Sequence, residues 1–222
     1  AYAYFTPNET INGIRMQRPH LGSAVPIVAD MTSCILTEPL EMRDYGLIFA
    51  GAQKNISIPG LTVVVLDPKV LKDRKDSGLP FMDDFWNHID AQSVFATPPV
   101  FNLYLAGLMF KWVSNQGGVA EMHKANQKKS DLLYQFIDNS KLYECSIAKE
   151  SRSPVNVCFK LNNPSLETMF LEKAEKERLL ALKGHRLLGG IRASLYNAMP
   201  IEGVKALIDY MARFSKEHGY GV

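Results

Sequence analysis

Over the first hundred residues, short apolar runs alternate with polar, turn-rich segments. Longer apolar and amphipathic stretches follow. Ala1 to Phe5 reads as a strand, and Thr6-Pro7-Asn8-Glu9-Thr10 as a polar loop. Pro26 to Ala29 is a second short apolar run that ends on Asp30. Leu47 to Ala50 has the length of a buried strand, Gly51 breaks it, and Leu61 to Val65 resumes after Gly60. Lys69 to Gly78 is charged and reads as an exposed loop, while Phe81 to Phe95 is aromatic-rich and irregular.

Pro99 suits the first turn of a helix, where its missing N–H would be unpaired in any case. The run after it is apolar nearly all round as far as Gly117-Gly118, which predicts a long buried helix with Trp112 in the core. From Val119 the pattern becomes amphipathic with a charged face. Beyond it come a strand over Val155 to Leu161 and a helix from about Ser165 to Lys176, with Glu167 near its positive end. Two short strands are expected around Gly189-Gly190, and Pro200 and Glu202 open a last helix that runs to Gly219. The expected fold class is α/β, with a large domain over 1–118 and a small α/β domain over 119–222.

Composition narrows the picture. The 222 residues are 46% hydrophobic and 22% charged, ordinary globular values that exclude a disordered chain. Lys and Arg number 25 against 23 Asp and Glu, and no basic block stands out, so no nucleic-acid partner is expected. Three widely spaced cysteines, Cys34, Cys145 and Cys158, fit neither a metal site nor a disulfide framework, which points to a reducing, cytoplasmic setting. No run reaches membrane-spanning length and no leader pattern is present. The chain starts on Ala1 within a strand-like run and reads as the middle of something longer.

Candidate chemistry gathers at two places. Lys54 follows a buried strand on a loop. In a partly dry cleft, desolvation would make its amine nucleophilic towards an aldehyde; taken alone, it reads as a solvated loop lysine. Asp30 closes the preceding strand. Burial penalises a carboxylate there unless a cation meets it, the alternative being a turn or cap acid. Ligands of open α/β sheets sit at strand ends of this kind. The second place is Leu182 to Arg192, where His185, Arg186 and Arg192 flank a glycine pair. Together they would suit a carboxylate or phosphate; singly they are exposed basic groups.

The segments AYFTPNETI, VADMTS, YGLIFAGAQKN, ATPP, GLMFKWVSNQGGVAEM and LKGHRLLGGIRASLYNAMPIEGVKAL, in this order, resemble the phosphoserine aminotransferase family. Its members are fold-type-I enzymes dependent on pyridoxal phosphate (PLP). The resemblance implies the C-terminal half of a mainly parallel, three-layer PLP-binding large domain plus a small C-terminal domain. It implies about three-fifths of a subunit, with the N-terminal remainder absent. Lys54 would carry PLP as an imine and shuttle a proton. Asp30 would pair with the pyridinium nitrogen, Thr10 would bond the phenolic oxygen and Gln53 the phosphate. Thr97 would reach the cofactor phosphate of the neighbouring subunit in a homodimer with shared sites. Arg192 would clamp the substrate α-carboxylate, and His185 and Arg186 the substrate phosphate. No metal is implied.

The implied reaction interconverts phosphoserine and 2-oxoglutarate with 3-phosphohydroxypyruvate and glutamate. This is a step of serine biosynthesis, and 4-phosphohydroxythreonine of pyridoxine biosynthesis stands as a possible second substrate. Two departures are visible. Ala96 stands where the family has Asn, removing a phosphate donor, and Ile56-Ser57-Ile58 replaces Ile-Gly-Pro. The competing readings are a PLP-dependent lyase or desulfurase, which His185 and Arg186 oppose, and a catalytically silent fragment or dimerising module.

Overall fold

The computed structural model describes residues 1–21, 25–71 and 78–221; six residues of the expected charged loop, 72–77, lie outside them. In chain order the strands and helices begin with β1 (Ala3–Phe5), β2 (Asn8–Glu9), β3 (Ile14–Arg15), β4 (Ile27–Asp30), β5 (Leu47–Gly51) and β6 (Thr62–Leu66). There follow α1 (Phe85–Asp90), α2 (Val100–Asn115), α3 (Val119–Asn139), β7 (Tyr143–Glu144), β8 (Asn156–Leu161), α4 (Glu167–Lys176), β9 (Ile191–Ser194) and α5 (Ile201–Glu217). Two compact units result. The first comprises Ala1–Thr6, Arg18–Ile35 and Leu40–Asn115; the second comprises Pro7–Gln17, Leu36–Pro39 and Gln116–Val222. A single division at 118/119 takes no account of the two short early segments that cluster with the second unit.

The first unit is built on a sheet of order β1-β4-β5-β6. β1 with β4 and β4 with β5 are parallel, whereas β6 returns antiparallel to β5. Strands β4 and β5 alternate buried and half-buried positions, with Ile27, Ala29, Ile48 and Ala50 all under 5% exposed. These small and β-branched side chains let the sheet pack closely. Helix α2 departs from the expectation of all-round burial. Only Asn102, Ala106 and Val113 are buried, Trp112 is half-buried, and Phe101, Tyr104, Leu108 and Phe110 are exposed. An apolar sequence records a demand for cover on every side, and this chain covers one side of the helix.

The second unit is an antiparallel sheet, β7-β8-β9, backed by α3, α4 and α5. Inward residues of β8 and β9 (Val157, Phe159, Leu161, Ile191 and Ala193) meet Leu133 and Ile137 of α3, Phe170 of α4 and Val204, Leu207, Met211 and Phe214 of α5. The helical residues recur at three- and four-residue spacing, as one face of each helix requires. Phe170 packs edge-on to Phe214 at 5.1 Å between centroids, and the Tyr210 hydroxyl donates to the Phe170 carbonyl at 2.6 Å. One expectation fails here: the segment before Gly189-Gly190 is not a strand. It forms a turn, in which the Leu188 and Gly189 amides donate to the His185 carbonyl, with a single bridge between Lys183 and Ile191. Strand β7 and helix α1, both too short to show a period, had no clear signal.

Candidate functional site

In the first unit, neighbouring strand ends bring Asp30 and Lys54 to one edge of the sheet. Asp30 is in register with Phe49, and the Met31 amide extends the ladder to the Phe49 carbonyl at 2.8 Å. The chain then leaves β5 through one helical turn, with Ile56 and Ser57 donating to the Ala52 carbonyl at 3.0 and 2.8 Å. Gln53 on this turn is exposed and Lys54 half-buried. Thr32 stitches the two strand ends together. Its amide donates to Asp30 Oδ1 at 2.9 Å, and its hydroxyl accepts the Gly51 amide at 3.1 Å. The acid is thereby fixed in orientation.

Three further side chains hold the lysine turn. Asn55 is buried and donates to the Ile35 carbonyl at 2.6 Å. The Ser57 hydroxyl donates to the Asn102 carbonyl at 2.8 Å, and the Asn102 side chain donates to the Pro59 carbonyl at 2.6 Å. The departure at Ile56-Ser57-Ile58 thus has a structural counterpart, since Ser57 ties the turn to the start of α2. Thr97 is exposed on the stretch leading into that helix. A fixed carboxylate and a half-buried amine at adjacent strand ends suit a ring bearing both a basic nitrogen and a carbonyl, so these residues fit PLP.

Thr10 belongs to the second unit. It sits half-buried on the turn between β2 and β3, where the Glu9 carboxylate accepts the Ile11 and Asn12 amides at 2.7 and 2.8 Å. The hairpin is clamped by a buried polar network. Asn8 donates to Asn156 at 2.8 Å and accepts from Ser153, and the Ser153 amide donates to the Gly13 carbonyl at 2.9 Å. The buried polar groups satisfy one another, which sets a unique register for the hairpin.

Arg192 lies on β9 opposite Cys158 of β8. Both line a cavity of about 120 Å³ together with Ile11, Asn12, Lys160 and the Gly189-Gly190 pair. Arg192 Nε is buried there with no hydrogen-bond partner among the described residues. The Cys158 thiol donates to the Ile11 carbonyl at 3.5 Å. Burial pushes that thiol up to about 12 although the Arg192 guanidinium opposes the shift, so it stays neutral. His185 is half-buried and Arg186 exposed on the adjoining turn, and neither lines this cavity. The structure therefore groups Asp30, Gln53 and Lys54 in one unit, and Thr10, His185, Arg186 and Arg192 in the other.

Sequence reasoning passed over Thr32, Asn55, Asn102, Asn156 and Lys160. Single polar residues inside or beside apolar runs carry no periodic signal, and only their partners reveal what they do.

The profile of the family described as aminotransferase class-V matches residues 1–207. A phosphoserine aminotransferase of Legionella pneumophila (strain Philadelphia 1) is 53% identical over 219 residues, covering 99% of this chain and 60% of the relative. Among solved structures, the phosphoserine aminotransferase of Bacillus circulans subsp. alkalophilus is similar at a TM-score of 0.93 and 39% identity, over 98% of this chain and 60% of its own. A PLP-bound phosphoserine aminotransferase from Trichomonas vaginalis is similar at a TM-score of 0.88 and 34% identity, over 95% and 60%. The chain thus spans about three-fifths of the length of the relatives it matches.

Proposed function

This chain belongs to the class-V aminotransferase family, and on that premise we propose that it works as part of a phosphoserine aminotransferase with PLP as cofactor. The reaction moves the amino group between phosphoserine and 2-oxoglutarate, giving 3-phosphohydroxypyruvate and glutamate, in serine biosynthesis. The observation that carries this reading is the half-buried Lys54 on a braced turn at the strand end next to Asp30. When bound, PLP supplies an aldehyde that takes up the amino group and a ring that withdraws electrons from the substrate α-carbon.

The chain's own residues do the rest. Asp30, held by the Thr32 amide, would pair with the ring nitrogen and favour its protonated form. Lys54 would hold the cofactor and, once released, would serve as the base that takes the proton from the substrate α-carbon and returns it. Thr10 would donate to the phenolic oxygen, and Gln53 and the neighbouring subunit's Thr97 to the cofactor phosphate. Arg192 binds the α-carboxylate common to both substrates, and His185 and Arg186 bind the phosphate of phosphoserine. Support for the Arg192 role comes from its unpartnered Nε in a cavity large enough for one carboxylate or phosphoryl group.

The assembly is a homodimer with shared sites. The exposed apolar side of α2 supports this, since Phe101 and Tyr104 are 63% and 61% exposed and such patches mark interfaces. A cytoplasmic setting agrees with Cys34, Cys145 and Cys158 forming no disulfide among the described residues. The same basic cluster would accept 4-phosphohydroxythreonine, which carries the same phosphate and α-carboxylate.

The test is direct. Borohydride reduction in the presence of PLP, followed by peptide mapping, places the label on Lys54. The Lys54→Ala variant keeps its circular dichroism spectrum and loses on the order of 10³-fold or more in kcat with phosphoserine. Label on another lysine, or near-normal turnover in the variant, refutes the assignment.

A further inference from the structure

The cavity beside Arg192 contains a second cation that the proposed mechanism leaves unused. Lys160 lies on β8 two residues beyond Cys158, and Cys158 is the residue opposite Arg192. Two residues along a strand is one period, so Cys158 and Lys160 point to the same side of the sheet. Arg192 and Lys160 are then diagonal neighbours across the β8–β9 pair, a spacing of about 7–8 Å that long side chains bridge. Residues on the opposite side, Val157, Phe159 and Leu161, fill the core. Both cations therefore stand on the open side.

Several features keep Lys160 at the cavity. Just before the start of β9 the residue beside it is Gly190, where a Cβ would come within 3.0 Å of the Phe159 carbonyl and 3.2 Å of Lys160 Cγ. The absence of a side chain at Gly190 leaves room for the lysine stem to lie across the strand. On its other flank, Glu144 is in register with Lys160 and also lines the cavity, but no carboxylate among the described residues lies within 4 Å of the ammonium. The nearby glycine amides are engaged elsewhere. Gly190 donates to the Glu167 carboxylate at 3.0 Å, and Gly189 to the His185 carbonyl at 2.8 Å. With Arg192 and Lys160 against Glu144, the charged side chains lining the cavity sum to one positive charge. Arg192 Nε, buried and without a hydrogen-bond partner among the described residues, gives the second and independent sign that an anionic group completes the site.

We propose that Lys160 is a further substrate-binding residue, acting with Arg192 as a two-cation cleft for an anionic oxygen-bearing group of the substrate. This rests on the aminotransferase reading for the identity of the substrate, though not for the chemistry of the cleft. The group is a carboxylate or a phosphoryl, and the two sources separate by which substrate responds. With Arg192 assigned to the α-carboxylate, that carboxylate is the expected occupant, and the lysine adds a point charge beside the planar guanidinium fork.

The experiment compares the enzyme with Lys160→Gln and Lys160→Arg. Steady-state kinetics are run with phosphoserine and with glutamate, and inorganic phosphate binding is followed by calorimetry. In Lys160→Gln, KM for phosphoserine and for glutamate rises about fivefold alike, as loss of one partly solvated ion pair implies, with kcat within about twofold. Phosphate binding weakens by a similar factor, and Lys160→Arg restores both. A rise confined to phosphoserine assigns the cleft to the phosphoryl and still supports the lysine's role. Unchanged KM for both substrates together with unchanged phosphate binding overturns the proposal. Should the unaltered enzyme transaminate neither substrate, the aminotransferase reading falls, and the phosphate titration still decides the fate of the cleft.

Discussion

Gly13, just before β3 in the second unit, offers the cleanest test of how the Thr10 hairpin is held. Its φ of +75° lies in the left-handed region, and an added Cβ would stand 2.4 Å from the Asn156 carbonyl oxygen and 3.1 Å from Cys158 Sγ. Gly13→Ala therefore incurs two costs. Left-handed backbone on an alanine is worth about 1–2 kcal/mol. A carbon at 2.4 Å from a backbone oxygen cannot be relieved by rotating a side chain, so the hairpin must lift from β8, and overpacking of this kind costs about 1–3 kcal/mol. The lift also strains the 2.9 Å bond from the Ser153 amide to the Gly13 carbonyl. Gly219→Ala isolates the first cost, because φ there is +80° and nothing lies within 4 Å of the new carbon. At roughly 2–4 °C per kcal/mol for a chain of this size, Gly13→Ala should melt about 9 °C below the parent and Gly219→Ala about 3 °C below. Thermal unfolding followed by circular dichroism measures both. Equal shifts for the two variants would show that the hairpin is not seated against β8 as described.

The remaining predictions concern charge. Arg192→Ala should raise KM for phosphoserine and glutamate alike by about 10–100-fold, the worth of hydrogen bonds to a charged group; loss confined to phosphoserine would refute its α-carboxylate role. Lys129 is buried on α3, donates to the carbonyls of Leu195, Tyr196 and Met199 at 2.9–3.0 Å, and has its pKa lowered to about 8 by desolvation. Between pH 8 and its ordinary 10.5 the unfolded chain binds more protons than the folded one, so this lysine makes stability rise with pH across that window. Urea denaturation at pH 7.5 and 10, with Lys129→Met as reference, should show a gain of up to about 2 kcal/mol in the parent that the variant lacks, and an equal response in both would dismiss it. Asp138, whose carboxyl the paired Arg152 guanidinium holds below its ordinary range, also makes stability rise with pH, in the acid window instead of the alkaline one. Its contribution is present above the ordinary carboxylate range and fades as acid protonates it, so Arg152→Ala should flatten the acid limb of the stability profile.

Much of the first unit was legible in the sequence because its signals are local. The apolar runs at Pro26–Ala29 and Leu47–Ala50 form strands because they are short and bounded by polar or turn residues; Gly51 closes the second, and Gly60 precedes the strand that follows. The order of Asp30 and Lys54 after those strands followed from the same pattern, and the family resemblance supplied a chemistry for them. In the second unit, helix α3 announced itself by an amphipathic pattern with a charged face, and α5 by Pro200 and Glu202 at its start.

Other features rest on partners far away in the chain. That the Asn8–Arg15 hairpin joins the second unit depends on Asn8 meeting Asn156 and Ser153, residues about 150 positions later, and amide side chains reveal no partner from sequence. That α2 keeps an apolar side uncovered depends on what surrounds it, whereas its sequence states only that cover is wanted. Lys160 looks like any strand lysine until β9 sets Arg192 diagonally across from it and Gly190 leaves the space beside it open. Periodicity and strand ends are properties of neighbouring residues, and the chain alone determines them. Which polar groups satisfy one another, and which charges share a cavity, is decided only when distant segments close on each other and exclude water.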